Sequence, residues 1–309
     1  MSGTLVAHPE ASKEALESQN GPVLETLAPY QQSLAATLGC STIASITLAS
    51  ILTAHFTTRL YAELLIAASI PLLLIQHDYQ NFLNLGRGGV PFNFRGYLKI
   101  AWLRLFILRD PFSPPSPDPT ATPRSGILAA RSLPHRKGPR PEVAGIIPHR
   151  QLDQRGAEGP YLSLRASVHA LALAHPEMLT TGRSCFEKHG LGLFSRRPVN
   201  ETCRGEILHV HDSDRAMHMS LHPEDIREVL EGGWAERHPL AGQGAHLKDT
   251  FVLVYAPRSM SFPVHVPPPP RYCISPADCI LLDDHELRVV YQIMEAAVWY
   301  VAAEQISIK

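Results

Sequence analysis

Between Glu206 and Leu221 apolar and polar residues alternate with a period of two on either side of Asp212-Ser213-Asp214, which predicts two short strands joined by a turn. On the first, Leu208 and Val210 share one face while Ile207, His209 and His211 share the other. On the second, Met217, Met219 and Leu221 oppose His218 and Ser220. A turn centred on Ser213-Asp214 sets His209 across from His218 and Val210 across from Met217, gathering three imidazoles on one face and the apolar residues on the other. The period then lengthens. Pro223 suits a first helical position, Glu224 and Asp225 the positive first turn, and Ile226, Val229 and Leu230 one apolar side, with Gly232-Gly233 as the stop. Trp234, Glu236, Arg237 and His238 follow on a loop closed by Pro239, a combination that suits the rim of a binding site.

The same reading organises the rest of the chain. Leu38–Phe56 and Leu60–Ile75 are apolar stretches, interrupted by His55, Arg59, Glu63 and Pro71. Neither is a clean run of about twenty residues, the length a bilayer span needs. A buried helical hairpin fits, but a membrane anchor is the preferred expectation. Arg87, Arg95, Lys99, Arg104 and Arg109 follow the apolar region and acids precede it, which places the C-terminal part on the cytosolic side, most naturally at the endoplasmic reticulum. Tyr97–Leu108 reads as a basic amphipathic helix, 161–175 as a helix with Leu162, Leu164, Val168, Leu171 and Leu173 on a broad apolar side, and Cys185–His189 and Leu191–Ser195 as strands around Gly190. Phe251–Tyr255 is a buried strand. Asp283 with Glu286 caps a final helix carrying Leu287, Val290, Tyr291, Met294, Val298 and Val301.

The chain therefore divides into a polar leader (1–33), an apolar anchor region (34–76) and one domain (77–309) with Pro-rich insertions at about 110–125 and 259–282. The expected class is α+β: N-terminal membrane-associated helices, then a domain with a small antiparallel sheet and packed helices.

Composition narrows the functions. A chain of 309 residues has ample length for a core, and a net charge of -1 removes the usual electrostatic case for nucleic acid. The five cysteines, Cys40, Cys185, Cys203, Cys273 and Cys279, show no close metal spacing, so free thiols in a reducing compartment are expected. Gly86-Arg87-Gly88-Gly89 lacks the Lys-Ser/Thr of a phosphate loop.

Candidate chemistry rests on the histidines. His209, His211 and His218 could bind zinc, iron or copper with Asp212 or Glu206 nearby. Without a metal, imidazoles titrating near neutrality could take the proton of an acidic enol or phenol, and Arg237 or Arg258 could hold the anion. A structural role is the third possibility. No Ser-His-Asp elbow, Cys-His pair or paired-carboxylate motif supports a hydrolase.

The segments DYQNFLNLGRGGVPFNFRGY (78–97), GEILHVHDSDRAMHMSL (205–221), EVLEGGWAERHPLAG (228–242) and VYAPR (254–258), in this order, resemble the fungal luciferase family of the mushroom caffeic acid cycle. The resemblance implies a membrane-linked oxygenase that takes O2 and an acidic hydroxy-pyranone such as 3-hydroxyhispidin, with loss of CO2 and no metal or organic cofactor. Relatives also occur in fungi that emit no light, so the implied substrate widens to phenolic or polyketide-type enols. By matching positions, His209, His211, Asp212 and His218 fall in the candidate pocket, with Trp234, Arg237, His238 and Arg258 on its rim. Expected partners are a small-molecule substrate and a membrane. The alternative is a non-catalytic, membrane-associated small-molecule-binding protein with structural histidines.

Overall fold

The computed structural model describes residues 40–57, 60–117, 119–200, 202–242, 247–258 and 285–308. The expectations for the leader, for Asp283 as a cap and for the 259–282 insertion lie outside these. Contacts divide the chain into two units, Met1–Asn84 and Leu85–Lys309.

The first unit holds two helices, α1 (Cys40–Thr57) and α2 (Leu60–Asn84). Helix α2 continues through Pro71 and ends in the polar run beyond His77. No described helix is long and apolar enough to cross a membrane, so the expected anchor is not borne out as a span. The reason lies in composition: α1 is threaded with Ser and Thr, whose hydroxyls bond their own helix (Ser45 to Ser41 O, Thr53 to Ala49 O), and α2 carries Glu63 and a polar end. Much apolar surface is nevertheless exposed, including Leu48, Phe56, Leu65, Leu72 and Leu73.

The second unit is α+β. After α3 (Phe94–Leu103), capped by the Asn93 side chain, come a two-stranded ladder of β1 (Val143–Gly145) and β2 (His149–Gln151), then α4 (Glu158–Ala174). Helix α3 is shorter than the expected Tyr97–Leu108 and passes into a 3-10 turn at Arg104. The main sheet contains β3 (Leu179–Arg183), β4 (Leu191–Ser195), β5 (Glu206–Val210), β6 (Met217–Ser220), β7 (Ala235–Arg237) and β8 (Phe251–Val254), in the order β3-β4-β5-β6-β8-β7. All its pairings are antiparallel. Two expectations change. Cys185–His189 is a turn, with the strand lying just upstream as β3, and the loop expected after Trp234 is β7, which finds its partner in β8 fifteen residues later. Periodicity alone cannot show a three-residue strand.

The hairpin register is the expected one: His209 faces His218 and Val210 faces Met217. Leu193, Leu208, Val210, Met217, Met219, Val252 and Val254 make the apolar face and pack under α4, α5 (Pro223–Glu231) and α6 (His285–Ala302). Helix α5 starts at Pro223 as expected, its first turn capped by the His222 ring. Ile207 departs from the simple alternation. The β4–β5 ladder pairs Leu193 with Leu208 and then Phe194 with Glu206, skipping Ile207. This bulge sends Ile207 into the apolar core and turns Glu206 to the histidine side. Cys185 and Cys203 are joined by a disulfide, which corrects the free-thiol expectation for these two.

Asp225 on α5 is fully buried and accepts the Leu128 N–H at 2.7 Å, but its second oxygen has no partner. Burial pushes its pKa up to about 6, with the adjacent Glu224 adding to the rise. Its folded pKa exceeds its unfolded one, so the stability it contributes is complete below about pH 4 and is lost as pH rises through about 6. Asp225→Asn is expected to match the wild type near pH 4 and to gain on it by on the order of 2–3 kcal/mol above pH 7. Urea melts of both proteins at the two pH values check this, and parallel pH dependence would refute it.

Candidate functional site

The polar face of the sheet is roofed by β1 and β2 and by the Gly86–Gly89 segment, and beneath them lies a cluster of five histidines. His209 comes from β5 and His211 from just past its end, where its N–H bonds Ala216 O and continues the hairpin. His218 comes from β6, His238 from just past β7, and His149 from β2. All five are at most 4% exposed. His218 is the hub. Its Nδ1 lies 2.9 Å from His211 Nε2 and 3.3 Å from His209 Nε2, and its Nε2 lies 3.2 Å from His149 Nδ1.

Carboxylates hold the outer edge of the cluster. Glu206 contacts His209 Nδ1 at 2.7 Å, Asp214 contacts His211 Nδ1 at 2.8 Å, and Glu236 contacts His149 Nε2 at 3.2 Å. Asp214 also accepts the Gln151 N–H, so the turn of the hairpin clamps β2 and with it His149. Tyr255 donates to the other oxygen of Glu236. Arg150 forms an ion pair with Glu187 and donates to Arg87 O, tying the roof to the cluster. Both members of that pair are buried.

The electrostatics disfavour charge on His211, His218 and His238. Burial lowers the pKa of His211, and burial together with the neighbouring histidines drives those of His218 and His238 well below the usual value. Burial alone would raise Asp214, but His211 and Arg150 outweigh it and bring its pKa down to about 2. Glu187 behaves alike: burial opposes its ionisation, and His211 and Arg150 more than compensate. Neutral bases and ionised acids therefore coexist at neutral pH.

A cavity of about 50 Å³ opens beside His149, His209, His218, His238 and Glu187, with Phe186 and Phe251 as its apolar walls. At roughly 10–15 Å³ per water centre it has room for a few waters or O2. A two-ring substrate requires its wall to move. Gly88 and Gly89 form part of that wall because nothing larger fits: a Cβ on Gly89 would lie 2.1 Å from Phe186 O, and one on Gly88 2.8 Å from Pro148 N.

Four of the eight residues expected in the site meet here, namely His209, His211, His218 and His238. The other four lie elsewhere. Asp212 is half exposed and pairs with Arg165 and Tyr161, because it points outward from the turn whose inward acid is Asp214. Trp234 is fully buried in the apolar core and donates to Pro134 O. Arg237 alternates with Glu236 on β7, so it sits on the opposite side of the sheet from the histidines and pairs with Asp249. Arg258 is engaged by Glu286 and Lys137 O. His149, Arg150, Glu187 and Asp214 were not expected. His149 sits in IIPHRQLDQ (146–154), whose pattern predicts no more than a short strand, and nothing local marks the other three.

A family model described as the luciferase domain matches residues 204–261. Relatives named luciferase match over most of the chain. The Armillaria gallica protein is 31% identical over 256 residues, covering 77% of this chain and 85% of its own length. The Armillaria mellea protein is 31% identical over 252 residues, covering 76% and 84%. The chain belongs to the fungal luciferase family. The Neonothopanus nambi luciferase is 29% identical over 254 residues, again covering 76% of this chain and 84% of its own. No solved structure matches.

The matched luciferase segment carries β5, β6, β7 and β8, and so His209, His211, His218, His238, Glu206, Asp214 and Glu236. His149, Arg150 and Glu187 come from outside it and complete the cluster in this member of the luciferase family.

Gly89→Ala is expected to destabilise the domain by about 1–3 kcal/mol, the usual cost of forcing an extra carbon into a packed site. Denaturant unfolding checks this. A variant as stable as the wild type would show that the roof yields freely over the cavity.

Proposed function

We propose that the protein is an oxygenase that takes O2 and an enolisable hydroxy-pyranone, or a related phenolic or polyketide-type enol, with CO2 leaving where the ring opens. The observation that carries this reading is the cluster of buried imidazoles, with carboxylates in contact with His209, His211 and His149, at the heart of a chain from the fungal luciferase family. Neutral imidazole is a proton acceptor, and an enol must lose its proton before it can give an electron to O2. In this reading His209, His211 and His218 assist deprotonation, and Phe186 and Phe251 exclude water beside them. The Arg150 guanidinium, bound to Glu187 and adjacent to the cavity, is better placed to meet an enolate than Arg237 or Arg258. The N-terminal helices, with their exposed Leu and Phe side chains, would hold the protein against a membrane without spanning it.

The full chain in its membrane fraction, given 3-hydroxyhispidin under air, is expected to consume substrate and O2. His218→Ala should lower turnover about 100-fold or more, the contribution of a positioned base, in protein that stays folded by circular dichroism. Full turnover in both His209→Ala and His218→Ala would remove these residues from the mechanism. Light emission would add that the product forms excited.

One observation favours a second reading. The five histidines are as buried as core residues, and the cavity beside them is small. A membrane-associated binding protein with structural histidines would lose thermal stability on the same substitutions while no substrate is consumed by any form.

A further inference from the structure

The structure assigns a binding site for one divalent first-row transition-metal ion to His209 Nε2, His211 Nε2 and His218 Nδ1, with Glu187 as an adjacent carboxylate. The assignment begins with the placement of protons. Glu206 accepts from His209 Nδ1 at 2.7 Å and Asp214 from His211 Nδ1 at 2.8 Å, so each ring turns its Nδ1–H to a carboxylate and leaves Nε2 as its ligand atom. Arg150 Nη1 also lies 3.2 Å from His211 Nδ1, but the carboxylate at 2.8 Å takes that in-plane direction.

His149 donates from Nε2 to Glu236, which leaves its Nδ1 as an acceptor facing His218 Nε2 at 3.2 Å. His218 must then carry its proton on Nε2, and its Nδ1 is a lone pair as well. Three lone pairs converge with no hydrogen among them. His218 Nδ1 lies 2.9 Å and 3.3 Å from the other two nitrogens. With metal–nitrogen bonds of about 2.0–2.1 Å, ligand atoms sharing an ion lie roughly 3.0–3.4 Å apart, so the spacing already suits one ion.

A second observation points the same way. Glu187 is 5% exposed and pairs with Arg150, yet neither of its oxygens makes a hydrogen bond. Its Oε1, which Arg150 engages, lies 3.7 Å from His211 Nε2, and its Oε2 lies 3.6 Å from His189 Nε2. A carboxylate this close to His211 Nε2 is within reach of an ion held on that nitrogen. The carboxylates behind His209 and His211 are the outer supports that commonly orient imidazoles on metals.

A second histidine trio, His149, His218 and His238, is as compact but chemically different. His238 Nδ1 accepts the Leu240 N–H at 3.0 Å, so its proton sits on Nε2, and His149 Nδ1 is already satisfied by His218. That trio has no free lone pairs to offer. Imidazole with carboxylate selects zinc, iron, manganese, nickel or copper over calcium or magnesium.

The proposal goes beyond the oxygenase reading, which needs only the lone pairs and holds with or without an ion. The test is to purify the full chain from medium supplemented with iron, zinc and manganese and to measure metal by mass spectrometry. The protein is then stripped with chelator and titrated with Co2+ without oxygen. Close to one ion per chain is expected, with a Co2+ visible band that saturates at one equivalent and a rise in Tm. Glu206→Gln, which leaves all three ligands in place, should weaken Co2+ binding about 10–100-fold. Two folded variants, His211→Asn and His238→Asn, separate the trios: the first should lose the band and the second keep it. A folded wild type with under a tenth of an ion per chain and no Co2+ band would overturn the site, as would loss of the band in His238→Asn alone. Oxygen uptake with 3-hydroxyhispidin by the stripped protein is read separately. Uptake by the stripped protein supports the oxygenase reading and leaves the site to be decided by metal content and the Co2+ band, while a saturating Co2+ band without uptake in any metal form supports the site and sinks the oxygenase reading.

Discussion

An imidazole removed from water must find a partner for each ring nitrogen, and five of them packed together cannot all find it in one another. This constraint shapes the polar side of the sheet. Neutral histidine has one donor and one acceptor, so a chain of them needs anchors at its ends to fix which nitrogen holds the proton. Glu206, Asp214 and Glu236 are those anchors. Asp214 is held ionised because it faces His211 and Arg150, and His218 is kept from charging because burial among other imidazoles would cost too much solvation.

The scaffold serves this arrangement at several points. Asp214 closes the hairpin turn, orients His211 and takes the Gln151 N–H, so one carboxylate fixes the site and its roof. Glycines at 88 and 89 let that roof come close enough to enclose the rings. On the other side of the same strands, Leu208, Val210, Met217, Met219, Val252 and Val254 join α4, α5 and α6 in one apolar core. The polar cluster is held by a sheet whose stability is supplied from its opposite face.

Much of this was legible in the sequence. Alternation over Glu206–Leu221 and the short Asp-rich turn located the hairpin, its register and three imidazoles, because period-two faces and turn length are local properties. Pro223 and Gly232-Gly233 placed α5 in the same way. What failed depended on distance along the chain. His149 joins the cluster from β2, Glu187 from a turn, and Arg237 falls on the wrong side of a strand that exists only because β8 pairs with it. Composition suggested a membrane span for the N-terminal region, but serines, threonines and Glu63 leave its helices short of one. Asp212 and Asp214 are two residues apart in a turn, and only the fold shows which faces in.

The bulge at Ile207 makes β5 a strand of two phases. Upstream of it, polar and apolar positions obey one frame, and downstream they obey the other. The acid and the first imidazole are three residues apart, an interval that a regular strand would put on opposite faces. The extra residue returns them to one side and gives Ile207 to the core, so a short strand carries both an anchored imidazole and one more buried hydrophobe.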